Sequence, residues 1–317
     1  MDHARLTLHR LGNRLQTLAL LAVLALVLGA LAWVIGGASM LWGTLLGLLV
    51  VALTDPVGSP RLLMSLYGAR PVAPDEAPEL AGVLALLTQR AGLTRVPQLY
   101  YLASPVVNAF TAGRREAAAI LVSDGLLRRL DWPELAAVLA HEVAHIAHDD
   151  LRVMTVADLA CRLTRVLSLA GQLVLLLSLP ALLLGVWALP WVPLLVLLAA
   201  PSLSALVQLA LSRQREYEAD RGAVSLTGDP GALVAALVKL DASGRPVWEQ
   251  ILMPGRRLPD PSLLRTHPPT GERVRRLLAL APAPVAAPLP VSCASPVHWV
   301  GGAPRQAPHW RLTGLWH

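Results

Sequence analysis

His141-Glu142-Val143-Ala144-His145 is the one stretch of this chain in which metal-ligating side chains and a proton-transfer group stand together at helical spacing. On an α-helix residues i and i+4 share a face about 5–6 Å apart, so the two imidazoles can meet a single ion. Glu142 follows the first of them and reaches a water at that ion instead of the ion itself. The flanks support a helix. Asp131 and Glu134 have capping-box spacing, Pro133 falls in the first turn where its missing N–H costs little, and Leu135-Ala136-Ala137-Val138-Leu139-Ala140 leads into the pentapeptide. Two surface histidines on an ordinary helix are the competing reading.

A third ligand has to come from elsewhere. In Arg213-Gln214-Arg215-Glu216-Tyr217-Glu218-Ala219-Asp220, Glu216 and Asp220 again lie at i and i+4, on one face of a second helix. Two histidines and a carboxylate, with a fourth position open to solvent, form a zincin-type site in which Glu142 is the general base. Glu216 is assigned to the metal and Asp220 to the free N–H of His141. Glu218, about 200° round the helix from Glu216, is expected to face solvent or Arg215. An exposed charged helix is the bland alternative.

Composition places this motif in a membrane protein. The 317 residues are 55% hydrophobic and 15% charged, with a mean hydropathy of +0.54, too apolar for an ordinary soluble domain. The two cysteines, Cys161 and Cys293, lie far apart and indicate neither a disulfide framework nor a thiolate metal site. The formal charge of +6 comes mostly from arginines beside apolar runs. Basic residues are not interleaved with aromatics along one domain, so nucleic acid is not an expected partner.

Four spans are expected. Arg5, Arg10 and Arg14 precede Leu15 to Ile35, an uncharged run long enough to cross a bilayer. A cleaved signal peptide is the rival reading, but a second run, Ala38 to Leu53, follows at once after Gly36-Gly37, and a retained anchor is preferred. Gly43 and Gly47 in that run would permit close helix packing or face lipid. The third span is Val166 to Leu189, interrupted by Pro180, and the fourth is Trp191 to Leu211, with Pro193 and Pro201 as expected kinks. Basic residues flank the outer ends of both hairpins and neither connecting turn carries a charge, so the termini and soluble parts are expected in the cytoplasm. Two crossings separate the histidines from Glu216. That even number lets all three reach one ion, close to the membrane surface, since Glu216 lies about 7–8 Å of helix past Leu211.

The domain reading is therefore a transmembrane hairpin over 1–54, the first catalytic segment over 55–165, a second hairpin over 166–212, the second catalytic segment over 213–280, and a Pro/Ala-rich flexible tail over 281–317. Glu79 to Ala91 reads as an amphipathic helix, Val96 to Gly113 and Ala118 to Val122 as strands, and Ser123-Asp124 as the cap of a short helix. Pro230 starts a helix running to Leu240, and Thr270 caps a last one. Asn108-Ala109-Phe110-Thr111-Ala112-Gly113 looks like an exposed edge strand, to which a peptide substrate could add by main-chain pairing; an ordinary core-covering strand is the alternative. His267, held between Thr266 and Pro268-Pro269, could donate to an oxyanion at the metal, although a lone loop histidine is more often only solvated.

Taken together these segments resemble the membrane metalloprotease family that contains the HtpX heat-shock proteases, the mitochondrial Oma proteases and the CAAX prenyl proteases. The matching segments are Asn108-Ala109-Phe110, Leu121-Val122-Ser123-Asp124-Gly125-Leu126-Leu127, His141 to His145 with Ile146 and Asp150, Glu216-Tyr217-Glu218-Ala219-Asp220, and Thr266-His267-Pro268-Pro269, in family order over roughly residues 60 to 280. Spans placed two before and two after the HExxH helix resemble HtpX more than the seven-span CAAX proteases. The resemblance implies one zinc per chain at His141, His145 and Glu216, Glu142 as base, Asn108 near the substrate strand and His267 near the oxyanion. The Pro-rich tail departs from the pattern, as does Gly271, where the family usually has an acidic residue.

The fold expected is mainly α: a polytopic membrane protein with about four transmembrane helices and a zincin-type α+β catalytic domain, its HExxH helix beside a small β-sheet. The function expected is a zinc endopeptidase of the bacterial inner membrane, cleaving misfolded or membrane-associated proteins at the cytoplasmic face. A dedicated processing protease for a lipidated or signalling substrate, or a catalytically silent scaffold stabilised by zinc, are the alternatives.

Overall fold

In the computed structural model of the chain, residues 3–54, 59–185, 191–242 and 270–279 are described. The helices are α1 (His3–Thr54), α2 (Pro60–Leu66), α3 (Pro78–Arg90), α4 (Asp124–Arg129), α5 (Trp132–Ala147), α6 (Asp150–Leu177), α7 (Leu179–Leu183), α8 (Trp191–Thr227), α9 (Pro230–Ala242) and α10 (Thr270–Leu278). The strands are β1 (Arg70–Pro71), β2 (Gln98–Leu102), β3 (Ala109–Arg114) and β4 (Ala117–Ser123). The chain is mainly α with a small mixed sheet. It divides into two units, one holding α1, α6, α7 and α8 through Tyr217, the other holding residues 59–149 and everything described from Glu218 onward.

The first unit consists of long apolar helices. Among the described residues three helices are long and apolar enough to cross a membrane, over Arg14–Thr54, Asp150–Leu177 and Trp191–Thr227. The first of them is two segments in one. Gly36 and Gly37 leave helical geometry, and Gly37 takes φ 64°, ψ −153°, a left-handed backbone that favours glycine. Gly29 then lies against the side chains of Leu41 and Leu45, although twelve residues of straight helix would separate Gly29 from Leu41 by about 18 Å. The chain therefore folds back at the glycine pair, and four apolar segments result. Large apolar side chains such as Leu26, Trp42, Leu173, Leu177, Trp191 and Leu195 point outward, the arrangement of a protein whose solvent is lipid.

Inside this unit Leu24 and Leu28 pack with Met154, Ala157, Ala160, Cys161, Val207 and Leu211. That buried stripe explains why α6 starts at Asp150 and not near Val166: the polar-looking first turns carry a core face. The helix ends at Leu177, three residues before Pro180, which has no N–H to donate to the carbonyl of Leu176 and whose ring clashes with it. Helix α8, by contrast, runs through Pro201. Proline there cannot donate to the carbonyl of Leu197, and that carbonyl instead accepts from the Ser168 hydroxyl and, at 3.4 Å, from Gln172. Gly43 and Gly47 meet nothing within 4 Å; the close approaches fall at Gly29 and at Gly171, which lies under Leu197. Arg215 is buried, donating to Asp150 at 2.9 Å and to the Thr17 hydroxyl.

The second unit is built on the sheet, in the order β1-β2-β4-β3. Strands β2 and β4 are parallel, with Tyr100 opposite Leu121, and β3 runs antiparallel to β4, with Thr111 opposite Ile120. Leu80, Leu84 and Leu87 of α3, Ile120 and Val122 of β4, and Leu135, Leu139 and Val143 of α5 share one core with Leu233 and Leu237 of α9. Three of the unit's helices start on a side-chain cap. The Ser123 hydroxyl accepts from Leu126 N–H at 3.2 Å, Asp131 N–H donates to Glu134 at 2.8 Å in a capping box, and Asp229 accepts from Ala232 N–H at 2.9 Å. The Tyr101 hydroxyl donates to Asp124 at 3.0 Å, and burial together with that carboxylate pushes its pKa up to about 12. Helix α2 and strand β1 have no counterpart in the sequence reading; each is too short to carry a period.

Candidate metal centre

Helix α5 is buried along nearly its whole length, so its two histidines and Glu142 are held by packing on the sheet and on α9. His141 and Glu142 are 6% and 8% exposed, and His145 is half-buried. The helical turn brings His141 Nε2 to 3.1 Å from His145 Nε2, with the rings edge-on at 88°. Two ligands at about 2.0–2.1 Å from a tetrahedral ion stand about 3.3 Å apart, so the facing nitrogens match two corners of one coordination sphere.

The other ring nitrogen of His141 sits 3.1 Å from Asp220 Oδ1. A carboxylate there accepts from Nδ1–H and so fixes the tautomer that leaves the Nε2 lone pair facing His145. Asp220 is gripped in turn by Arg273 of α10, Nε to Oδ2 at 2.8 Å and Nη2 to Oδ1 at 2.5 Å. Both side chains are almost wholly buried, which makes this a two-bond ion pair out of water. Close packing brings α8 and α5 together at this point: a Cβ added at Gly222 would meet Ala144 Cβ at 2.7 Å and His148 Cε1 at 3.4 Å.

Asp220 touches His141, and Glu216 is the carboxylate one turn earlier on the same face of the same unbroken helix. Two neutral imidazoles and a carboxylate, with one imidazole oriented by a buried acid, form a donor set that fits a zinc ion. Glu142, on the same turn, is held from the edge strand, where the Thr111 hydroxyl donates to its Oε2 at 2.5 Å.

The substrate-strand residues fall on β3 and just before it. Asn108 N–H donates to Ser123 Oγ at 2.9 Å, and its carbonyl accepts from Ser123 N–H at 3.0 Å. Ala109 is opposite Val122, while the Phe110 ring is buried and lies 5.1 Å from that of Tyr67. Among the described residues β3 pairs only with β4, so one edge of the strand is open. His267 and the 281–317 tail lie outside the described residues.

Two residues at this centre are not anticipated by motif. Arg273 reads in the sequence as one of three arginines on a short helix; its signal is that it shares with Leu277, four residues on, the buried face of α10. Thr111 reads as part of a substrate strand. The strand's alternation, with Phe110 and Ala112 buried, puts Thr111 on the opposite face.

The sequence profile of peptidase family M48 matches residues 74–281. The chain is 36% identical over 294 residues to "Protease HtpX homolog" of Trichormus variabilis, covering 85% of this chain and 97% of that one. It is 37% identical over 283 residues to the protein of the same description from Pelotomaculum thermopropionicum, covering 85% and 99%, and 37% identical over 289 residues to that of Acidiphilium cryptum, covering 85% and 97%. Among solved structures it is similar to the crystal structure of S. mikatae Ste24p, with a TM-score of 0.45 and 19% identity over 86% of this chain and 66% of that one.

Proposed function

The chain belongs to peptidase family M48 and is a membrane metalloprotease; from that premise we propose that it is a zinc endopeptidase, with one zinc held by His141, His145 and Glu216, that cleaves misfolded or membrane-associated proteins at the cytoplasmic face of a bacterial inner membrane. The observation that carries this reading is the facing pair of imidazole nitrogens at 3.1 Å with Asp220 behind one of them. Zinc, when bound, supplies a Lewis acid that polarises a peptide carbonyl and lowers the pKa of a water toward about 7.

The protein's own groups do the rest. Glu142 accepts the proton of the attacking water and returns it to the leaving amine. Thr111 keeps that carboxylate from rotating away, and Asp220 holds His141 in the ligating tautomer. The open edge of β3 offers backbone N–H and C=O groups to an extended peptide, which sets the scissile bond near Glu142. His267 is assigned to the developing oxyanion on the strength of the Thr266-His267-Pro268-Pro269 segment. The cytoplasmic orientation is supported by the arginines that flank the outer ends of the spans.

Zinc content and casein cleavage of the detergent-solubilised wild type and Glu142→Gln, measured side by side, test this. One zinc in both with cleavage by wild type alone is the expected result. Retained proteolysis in Glu142→Gln would remove the base assignment. Zinc in both with cleavage by neither would favour a dedicated processing enzyme or a silent scaffold.

A further inference from the structure

Away from the metal centre, the second unit holds a cavity of about 550 Å³ where β2 and β4 begin, floored by Gln98 and Ala117 to Ala119 and walled by α2. Its charge is one-sided. Arg61, Arg95 and Arg115 line it against a single carboxylate, Glu116. Arg115 uses two of its N–H groups on the carbonyls of Ala147 and Gly92, both at 3.4 Å. Arg61 and Arg95 make no ion pair or hydrogen bond among the described residues. Both are exposed, so their guanidinium groups stand in solvent and are free to meet an anion, whereas Arg70 nearby is held by Glu76 at 3.0 Å.

The wall has a second property. Helix α2 begins six residues after the last residue of α1, and so follows the second apolar segment directly in the chain. Its Met64 is buried, whereas Leu62 and Leu66, one turn apart, are 63% and 71% exposed. Val96, beside Arg95, is 53% exposed. Exposed leucines at i and i+4, with arginine at their flank, on a helix just after a span, have the composition of an element lying in a membrane interface.

We propose that this cavity binds the phosphate of an anionic phospholipid headgroup, with Leu62 and Leu66 set into the acyl boundary beside it. Planar guanidinium groups grip phosphate oxygens in pairs, and two such groups without a carboxylate partner gain more from an anion than from water. A zwitterionic headgroup brings its own cation and forfeits that gain. The surface potential of an anionic leaflet draws the same arginines toward it. Bound this way, the catalytic unit is pinned at a second point besides its spans. The inference rests on the membrane reading of the chain and not on its zinc chemistry, so either can fail alone.

The test titrates dioctanoyl phosphatidylglycerol, dioctanoyl phosphatidylcholine and inorganic phosphate into the detergent-solubilised full chain, with binding read by native mass spectrometry. Wild type is compared with Arg61→Gln/Arg95→Gln and with Arg128→Gln/Arg129→Gln, a control on exposed arginines outside the cavity. Phosphatidylglycerol is expected to bind at least tenfold more weakly to the cavity variant than to wild type or control, and phosphatidylcholine to bind all three alike and weakly. The same lipid should raise the melting temperature of wild type but not of the cavity variant, whose unliganded melting temperature, equal to wild type, shows that it is folded. Equal phosphatidylglycerol binding by wild type and cavity variant overturns the proposal. Saturation by inorganic phosphate at the same concentrations overturns the lipid assignment and leaves a free-anion site.

Discussion

Replacing Arg273 with Met tests how far the metal centre depends on a residue that touches neither metal nor substrate. The substitution keeps most of the side-chain volume and removes both N–H donors to Asp220, at 2.8 and 2.5 Å. The side chains of Arg273 and Asp220 are 6% and 4% exposed, so solvent does not replace the lost partner. Removing one member of a buried pair costs about 3–5 kcal/mol of stability, because a buried charge is left behind. At the metal, loss of a group that orients a ligand lowers affinity by about 10–100-fold, or about 1.4–2.7 kcal/mol. The assay is zinc competition against a chromophoric chelator on the purified protein in detergent, with thermal unfolding alongside. Asp220→Asn in the Arg273→Met background separates the two effects. It removes the orphaned charge and so recovers stability, yet it leaves His141 without its carboxylate and so does not recover zinc affinity. Zinc affinity of Arg273→Met within twofold of wild type, in a protein whose Asp220→Asn variant loses zinc, would refute the coupling through Arg273.

Thr111→Val removes the hydroxyl that donates to Glu142 at 2.5 Å; a hydrogen bond to a charged group is worth about 1.5–3 kcal/mol, so kcat should fall about 10–150-fold with zinc content unchanged. Thr111→Ser should restore kcat to within a few-fold, and failure of that rescue would mean that methyl packing, not the hydroxyl, matters. Gly222→Val forces a side chain into Ala144, where even a Cβ would stand 2.7 Å from its neighbour; overpacking of about 1–3 kcal/mol should lower the melting temperature and weaken zinc retention together. The raised Tyr101 pKa, about 12 against 10.0, gives stability that is complete below pH 10 and is lost as pH rises through about 12. Tyr101→Phe should remove a phenolate component that titrates at about 12 in ultraviolet absorbance and flatten that alkaline loss; an unchanged titration would place the high-pH phenol elsewhere.

Features whose cause is local can be read from the order of residues alone. Apolar runs bounded by arginines make membrane helices whatever they pack against, Gly36-Gly37 breaks the first run because glycine takes a left-handed backbone at little cost, and Asp131 with Glu134 starts α5 through bonds within one turn. Spacing of i and i+4 puts His141 and His145 on one face of α5, and Glu216 and Asp220 on one face of α8, from helix geometry alone. What those faces meet was decided by tertiary structure. Arg215, in sequence one of the arginines that follow the fourth span, is buried on Asp150, because α6 begins a full four turns before its apolar run and brings that carboxylate with it. Arg273 and Thr111 carry no motif, since each acts only through a partner far along the chain, Asp220 in one case and Glu142 in the other. The cavity of Arg61, Arg95 and Arg115 is likewise invisible in one dimension, because three separated segments share it only once β2 and β4 have paired. Local bonding can be read from neighbours in sequence, whereas a buried charge shows its purpose only when the fold has chosen its partner.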